Sequence, residues 1–366
     1  MRTSPIRELL AERGATFGQW AGREVPLELE GAEAEYRAVR EAVGLTDFSF
    51  TARHRVPEEG LDALEAYAAG AVASIRFGRV LHTLATDEKG EIETDLYVAN
   101  DDENLVLIGE SLVDDGAISA ALDKIGIVEA GCEDLAESTA LFGIDGYSAW
   151  AVVRDLFGPD VLGLPYLSIE VYELAGEEVR LIRAGKTSEF GYLLLVPASI
   201  ASEAWLRLES AGERYGARPV GMRAHSMLRL DGRFFNVHEE GAAIRDPLPL
   251  GLQWMIDWEG EDFRGREALV ERRAAGLKRK IIGVMPEDSS AELAAGDEID
   301  HLGESVAEVV TAVRSPTLGG SIGLALFDVD YAYSGLLLRC EDGRRIRTVS
   351  MPPFTAKSLT VKLDEM

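Results

Sequence analysis

Residues 80 to 111 carry the clearest periodic signal in the chain. VLHTLAT, the turn DEKG and EIETDLYVA form a hairpin pattern, and NLVLIGE adds a strand after the turn NDDE. In the second strand, alternation puts Ile92, Thr94, Leu96 and Val98 on one face and Glu91, Glu93, Asp95 and Tyr97 on the other. By spacing alone, Asp95 belongs on the wet face of a half-buried antiparallel sheet. Helical patterns surround the hairpin: PIRELLAERG (5–14) ended by Gly14, AEAEYRAVREAVG (32–44) stopped by Gly44, GLDALEAYAAGAVASI broken at Gly70, and LVDDGAISAALDKIG. From residue 137 the order recurs, with strand STALFGI, helix GYSAWAVVRDLF, strands IEVYEL and EVRLIRAG, and helix SIASEAWLRLESAG. GMRAHSMLRLDG reads as a further helix and PLPLGLQWMIDW as a loop and strand. The segments KIIGVMP, SVAEVVTAV, GSIGLALFDV, SGLLLRC, RIRTVSM and SLTVKL then predict a small closed or sandwich-like β domain. Helices beside hairpins, rather than strict βα alternation, make the fold class α+β.

A chain of 366 residues is long for one core, so two or three domains are expected. The balance of 64 Asp plus Glu against 37 Lys plus Arg leaves a net charge of −27, which argues against nucleic-acid or anionic-membrane partners. The acids are scattered, as suits a surface exposed to concentrated salt. No run of about 18 apolar residues predicts a membrane span. The charged start MRTSPIRELLAERG lacks a secretory signal, so the cytoplasm is the expected compartment. Cys132 and Cys340 stand far apart, and the five histidines show neither HxxxH nor HxH spacing, so no metal site is expected. Dinucleotide and P-loop motifs are absent from the sequence.

GLQWMIDWEGEDFRGREAL (251–269) followed by RSPTLGGSIGLALF (314–327) resembles the glycine-cleavage T-protein (aminomethyltransferase) family, which carries GLxW, DFxGxxAL and SPTLGxSIxLA in that order. FGQWAGREVPL, AVREAVGLTDFS, GKTSEFGY and RAHSMLRLDG resemble further family segments, so the likeness runs from about residue 17 to 326. The resemblance implies a three-domain cloverleaf around an opening that takes tetrahydrofolate, with a C-terminal β-barrel-like domain. It assigns 1–48 plus 137–245 to a discontinuous first domain, 49–136 to an inserted domain, 246–276 to a connecting segment and 277–366 to the third domain.

The same resemblance gives Asp95 a role. GEIETDLYV is similar to the family's GGxIDDLxV, with Asp95 on the second aspartate and Thr94 replacing the first. A carboxylate there is expected to orient an amine and shuttle its proton, with partial burial raising its pKa. Lys186, Glu189 and Tyr192 of GKTSEFGY, with His225 and Arg229 of GMRAHSMLRLDG, are the implied cofactor-binding residues. Lys186 replaces a family tyrosine and His225 an arginine, while Leu193 replaces the glutamate that pairs with the pterin edge; leucine cannot accept those bonds. The implied activity is tetrahydrofolate-dependent aminomethyl or methyl transfer from a small-molecule donor, with a lipoyl carrier protein as a partner of the family reaction. Demethylation of a methylated amine, sulfonium or methoxyaryl donor is an alternative. So is an iron–sulfur-assembly or tRNA-modification role, although GRFFNVHEEG lacks the cysteine of KGCYxGQE.

Overall fold

The computed structural model describes residues 3–362 apart from 21, 102–103, 114, 127–129 and 261. Part of the NDDE turn lies outside the described residues. Three sheets organise the molecule. The first has six strands in the order Ile169–Leu174, Glu177–Ile182, Gly191–Pro197, Thr139–Asp145, Val43–Asp47 and Ala217–Pro219. The second has five, in the order Val80–Thr86, Ile92–Asp101, Asn104–Ser111, Ala52–Pro57 and Glu133–Asp134. The third closes into a six-stranded barrel built from residues 279 to 349. The fold is α+β with a C-terminal barrel.

The first sheet covers one face with helices Ala149–Phe157 and Ala201–Gly212, burying Phe142, Ile144, Tyr192, Leu194 and Trp205. Its other face meets the second sheet through Leu141, Leu193 and Leu195 against Tyr97, Ala99, Val106 and Ile108. The far face of the second sheet packs Leu96 and Val98 against Leu64, Ile118 and Leu122 of helices Leu61–Tyr67 and Asp115–Lys124. Both faces of strand Ile92–Asp101 are therefore covered. That corrects the expectation of a wet face: Asp95 is only 2% exposed because its side of the strand faces another sheet, not water.

Arg53 locks the two crossings between the first and second sheets. Fully buried, it donates to the carbonyls of Ser49 and Thr51 on the outgoing segment, and to Ala136 O, Thr139 O and Thr139 Oγ1 on the returning one, at 2.6–3.2 Å. At the other end of the second sheet, Arg272 donates to the carbonyls of Lys89 and Gly90, pinning the DEKG turn against helix Arg266–Ala275.

Three further expectations are corrected. The helix over 32–44 ends at Glu41, and Gly44 lies inside strand Val43–Asp47. A Cβ at Gly44 would fall 2.4 Å from Val39 and 2.8 Å from Val220, so this glycine serves close packing rather than a cap. PLPLGLQWMIDW forms turns and the short helix Gln253–Met255 rather than a strand, because Leu248, Leu250, Leu252 and Met255 each bury into a junction between units. In SLTVKL, the described residues hold a short helix at Lys357–Thr360, and the Ser358 N–H is drawn to Glu189 instead of a ladder. The sixth barrel strand is the acidic Glu298–His301, joined on both edges through its backbone with Ile299 alone fully buried.

Candidate active site

Asp95 stands directly across the ladder from Glu110 on strand Asn104–Ser111. Two carboxylates at opposed positions repel, and burial makes the repulsion costlier. Cations from the neighbouring unit resolve this. Lys186, on the loop before Gly191–Pro197, places Nζ 2.5 Å from Asp95 Oδ2 and 2.9 Å from Glu110 Oε1. Arg229, on helix Met222–Asp231, forks onto Glu110 with bonds of 2.8 and 2.7 Å. One turn earlier, His225 accepts at Nδ1 from Arg229 Nε (3.1 Å), leaving its Nε2 buried 3.8 Å from Asp145 Oδ2.

Protonation follows from these contacts. Burial pushes the Asp95 carboxyl upward, but Lys186 and His82 outweigh it and hold the group down at about 2. This reverses the expectation that burial would lift Asp95 toward neutrality: Asp95 is a permanent anion at physiological pH. Glu110 is likewise held well below the usual carboxylate range, since Arg229 and Lys186 override its desolvation. Burial depresses His225, and pushes His238 down to about 4, so both imidazoles are neutral at pH 7.

Of the residues expected at the site, Asp95, Lys186, His225 and Arg229 converge on one inner pocket, with Leu193 also in its wall. Glu189 and Tyr192 are not brought there. Glu189 accepts from Arg40 (3.4 Å) and the Ser358 N–H (2.9 Å), tying the C-terminal segment to the first unit. Tyr192 points to the opposite side of its strand from Leu193 and is 1% exposed in the helix-covered core. Glu110 and His82 were not singled out in the sequence. Hairpin register could have found them: the short link between the two strands sets Asp95 opposite Glu110, and His82 pairs with Tyr97, two residues along from Asp95.

His82 Nε2 lies 2.6 Å from Asp95 Oδ1, and its ring stacks on Tyr97 at 4.5 Å between centroids. On its other side opens a cavity of about 630 Å³ between the units, whose wall includes Tyr166, Arg233, Phe235, Trp254, Lys280 and Met351. Trp254 is 67% exposed into this region and meets His82 edge-on at 5.7 Å. The inner pocket is different, with about 30 Å³ of free volume, room for about one water. Its carboxylates Asp95 and Glu110 are already occupied by Lys186, His82 and Arg229. As built, it does not fit a pterin, whose donor edge needs a free acceptor and several times that volume. The outer cavity has the size and aromatic lining for a flat ligand.

Two α+β units and a closed barrel thus meet at a lined cavity backed by a buried charged cluster, the build of an enzyme site. Residues 6–260 match the GCVT N-terminal domain and residues 279–355 the glycine cleavage T-protein C-terminal barrel domain. The chain belongs to the glycine-cleavage T-protein family. It is similar to the aminomethyltransferase of Saccharopolyspora erythraea (29% identity over 96% of this chain and 95% of the relative) and that of Streptomyces avermitilis (31% identity over 91% of each). The crystal structure of glycine cleavage system aminomethyltransferase T from Bartonella henselae superposes with a TM-score of 0.83 over 97% of this chain and 98% of that one, at 23% identity, which speaks to the fold.

Proposed function

We propose that this protein is a tetrahydrofolate-dependent one-carbon transferase that takes an aminomethyl or methyl group from a small-molecule donor or a lipoyl-bound carrier. The observation that carries the reading is the position of the Asp95–His82 pair, at the boundary between the buried charged cluster and the large cavity where the three units meet. When bound, tetrahydrofolate supplies the amine that accepts the one-carbon unit. The chain's own part is to stack a flat ligand against Trp254 and Tyr166, to exclude water from the Asp95 side, and to hold a fixed negative charge at Asp95 beside an imidazole. Arg233 and Lys280 give the cavity wall positive charge in an otherwise acidic molecule, which suits a ligand with carboxylates.

The test is titration calorimetry with tetrahydrofolate. Binding is expected for the natural protein, and Trp254→Ala is expected to weaken it by up to about tenfold, the worth of one aromatic stacking contact. Leu193→Glu, which changes only the inner pocket, should bring no gain. Absence of measurable binding would overturn folate dependence. Tightening by Leu193→Glu with no effect of Trp254→Ala would place the pterin in the inner pocket.

A further inference from the structure

The proton-handling geometry points to a group other than the aspartate. We infer that His82 is the acid–base residue facing the outer cavity, and that Asp95 is its positioning carboxylate. The two oxygens of Asp95 are divided: Oδ2 is held by Lys186 Nζ and Oδ1 by His82 Nε2, and the residue is 2% exposed. Neither oxygen has an open approach to a ligand. His82 instead has its side chain 10% exposed and forms part of the cavity wall. Among the described residues its Nδ1 has no hydrogen-bond partner.

A carboxylate bonded to one ring nitrogen fixes the tautomer and the plane of an imidazole and favours its charged form. With Asp95 accepting from Nε2–H, the lone pair of His82 is on Nδ1. The stacked Tyr97 ring and the edge of Trp254 hold the ring's plane. Lys186 keeps Asp95 anionic, so a proton taken by His82 stays on the imidazole and is not passed inward.

In a transfer reaction the consequence is simple. An amine N–H of a substrate in the cavity loses its proton to His82 Nδ1 while its electron pair forms the new bond to carbon. The carbon's bond to its donor heteroatom breaks with the pair leaving on that atom, and the imidazolium gives its proton to a departing amine or alkoxide, or to solvent where a neutral thioether departs. This role for His82 rests on the transferase reading only for the identity of the substrate. The charged and titratable groups around the ring are Asp95 on the neighbouring strand, Tyr97 stacked on it, Lys186 behind Asp95, and Tyr166, Arg233 and Lys280 across the cavity.

Five histidines make the test practical, because nitrogen NMR of a histidine-labelled sample resolves each ring. His82→Gln assigns the signal. The expected state of natural His82 is Nε2–H with the lone pair on Nδ1, and Asp95→Ala, which removes the acceptor, should let the Nδ1–H tautomer appear beside it. An Nδ1–H tautomer in the natural protein, or a tautomer balance that Asp95→Ala leaves unmoved, overturns the pairing. In single-turnover transfer with a panel of methylamine, sulfonium and methoxyaryl donors, His82→Gln should lower the rate by about 10²–10⁴-fold, with KM held. His82→Ala should regain part of the rate on added imidazole. Natural turnover in His82→Gln overturns the acid–base role. If the expected tautomer and its loss in Asp95→Ala are seen but no donor is accepted, the one-carbon reading fails while the Asp95–His82 pair stands.

Discussion

Glu240 shows how one buried carboxyl sets a pH dependence. It is 2% exposed in the turn Val237–Gly241, accepts from the Asn236 N–H at 3.0 Å, and has Arg233 no nearer than 3.8 Å. Burial therefore dominates and pushes its pKa up to about 7, against a usual value of 4.5. The folded state holds this proton more tightly than the unfolded chain. Its contribution to stability is full below pH 4.5 and is lost as pH rises through 7, a change on the order of 3 kcal/mol. Glu240→Gln keeps the acceptor for Asn236 and removes the titration. Urea melts from pH 5 to 8 should show the variant gaining on the natural protein as pH rises. Parallel curves would mean that Glu240 is ionised throughout.

Among the elements, the two strands that cross between the first and second sheets depend on Arg53. Its guanidinium reaches acceptors on both crossings at once, which a planar fork with five donors can do. A lysine can serve one side only and leaves buried carbonyls unpaired, each costing about 1–3 kcal/mol. Arg53→Lys is expected to lower unfolding stability by about 3 kcal/mol or more. The loss should be read as loosening between the sheets, with early hydrogen exchange in Ala52–Pro57 and Thr139–Asp145. A loss under about 1 kcal/mol with unchanged exchange would show that main-chain pairing alone holds the crossings. The site depends on them, because Lys186 and Arg229 come from one side and Asp95 and Glu110 from the other.

For the whole molecule, the −27 charge sets the dominant long-range term. Mutual repulsion among surface carboxylates opposes the compact state and is screened as salt rises. The melting temperature is therefore expected to climb from low to molar sodium chloride. A flat or falling series would remove the inference of a salt-rich working environment. The buried pairs at Asp95 and Glu110 are shielded from that screening, so the His82 tautomer should not change across the same series.

The sequence by itself determined the classes of element and the order in which they come. The hairpin Val80–Thr86/Ile92–Asp101, the helix holding His225 and Arg229, and five of the six barrel strands follow from local periodicity and turn residues, which act over a few positions. Composition set the acidic character, and the ordered motifs pointed to the family. Tertiary structure alone decided what a polar residue on a strand faces. Alternation put Asp95 on the polar side of its strand, yet that side is sealed by another sheet through Leu141, Leu193 and Leu195, which lie far away in the chain. The same long-range packing delivered Lys186 to Asp95 and turned Glu189 toward the C-terminal segment. It also left His82, rather than the aspartate, at the cavity wall. Periodicity reports which residues share a face. What covers that face depends on contacts between distant segments, and so do the charge states that the site's chemistry requires.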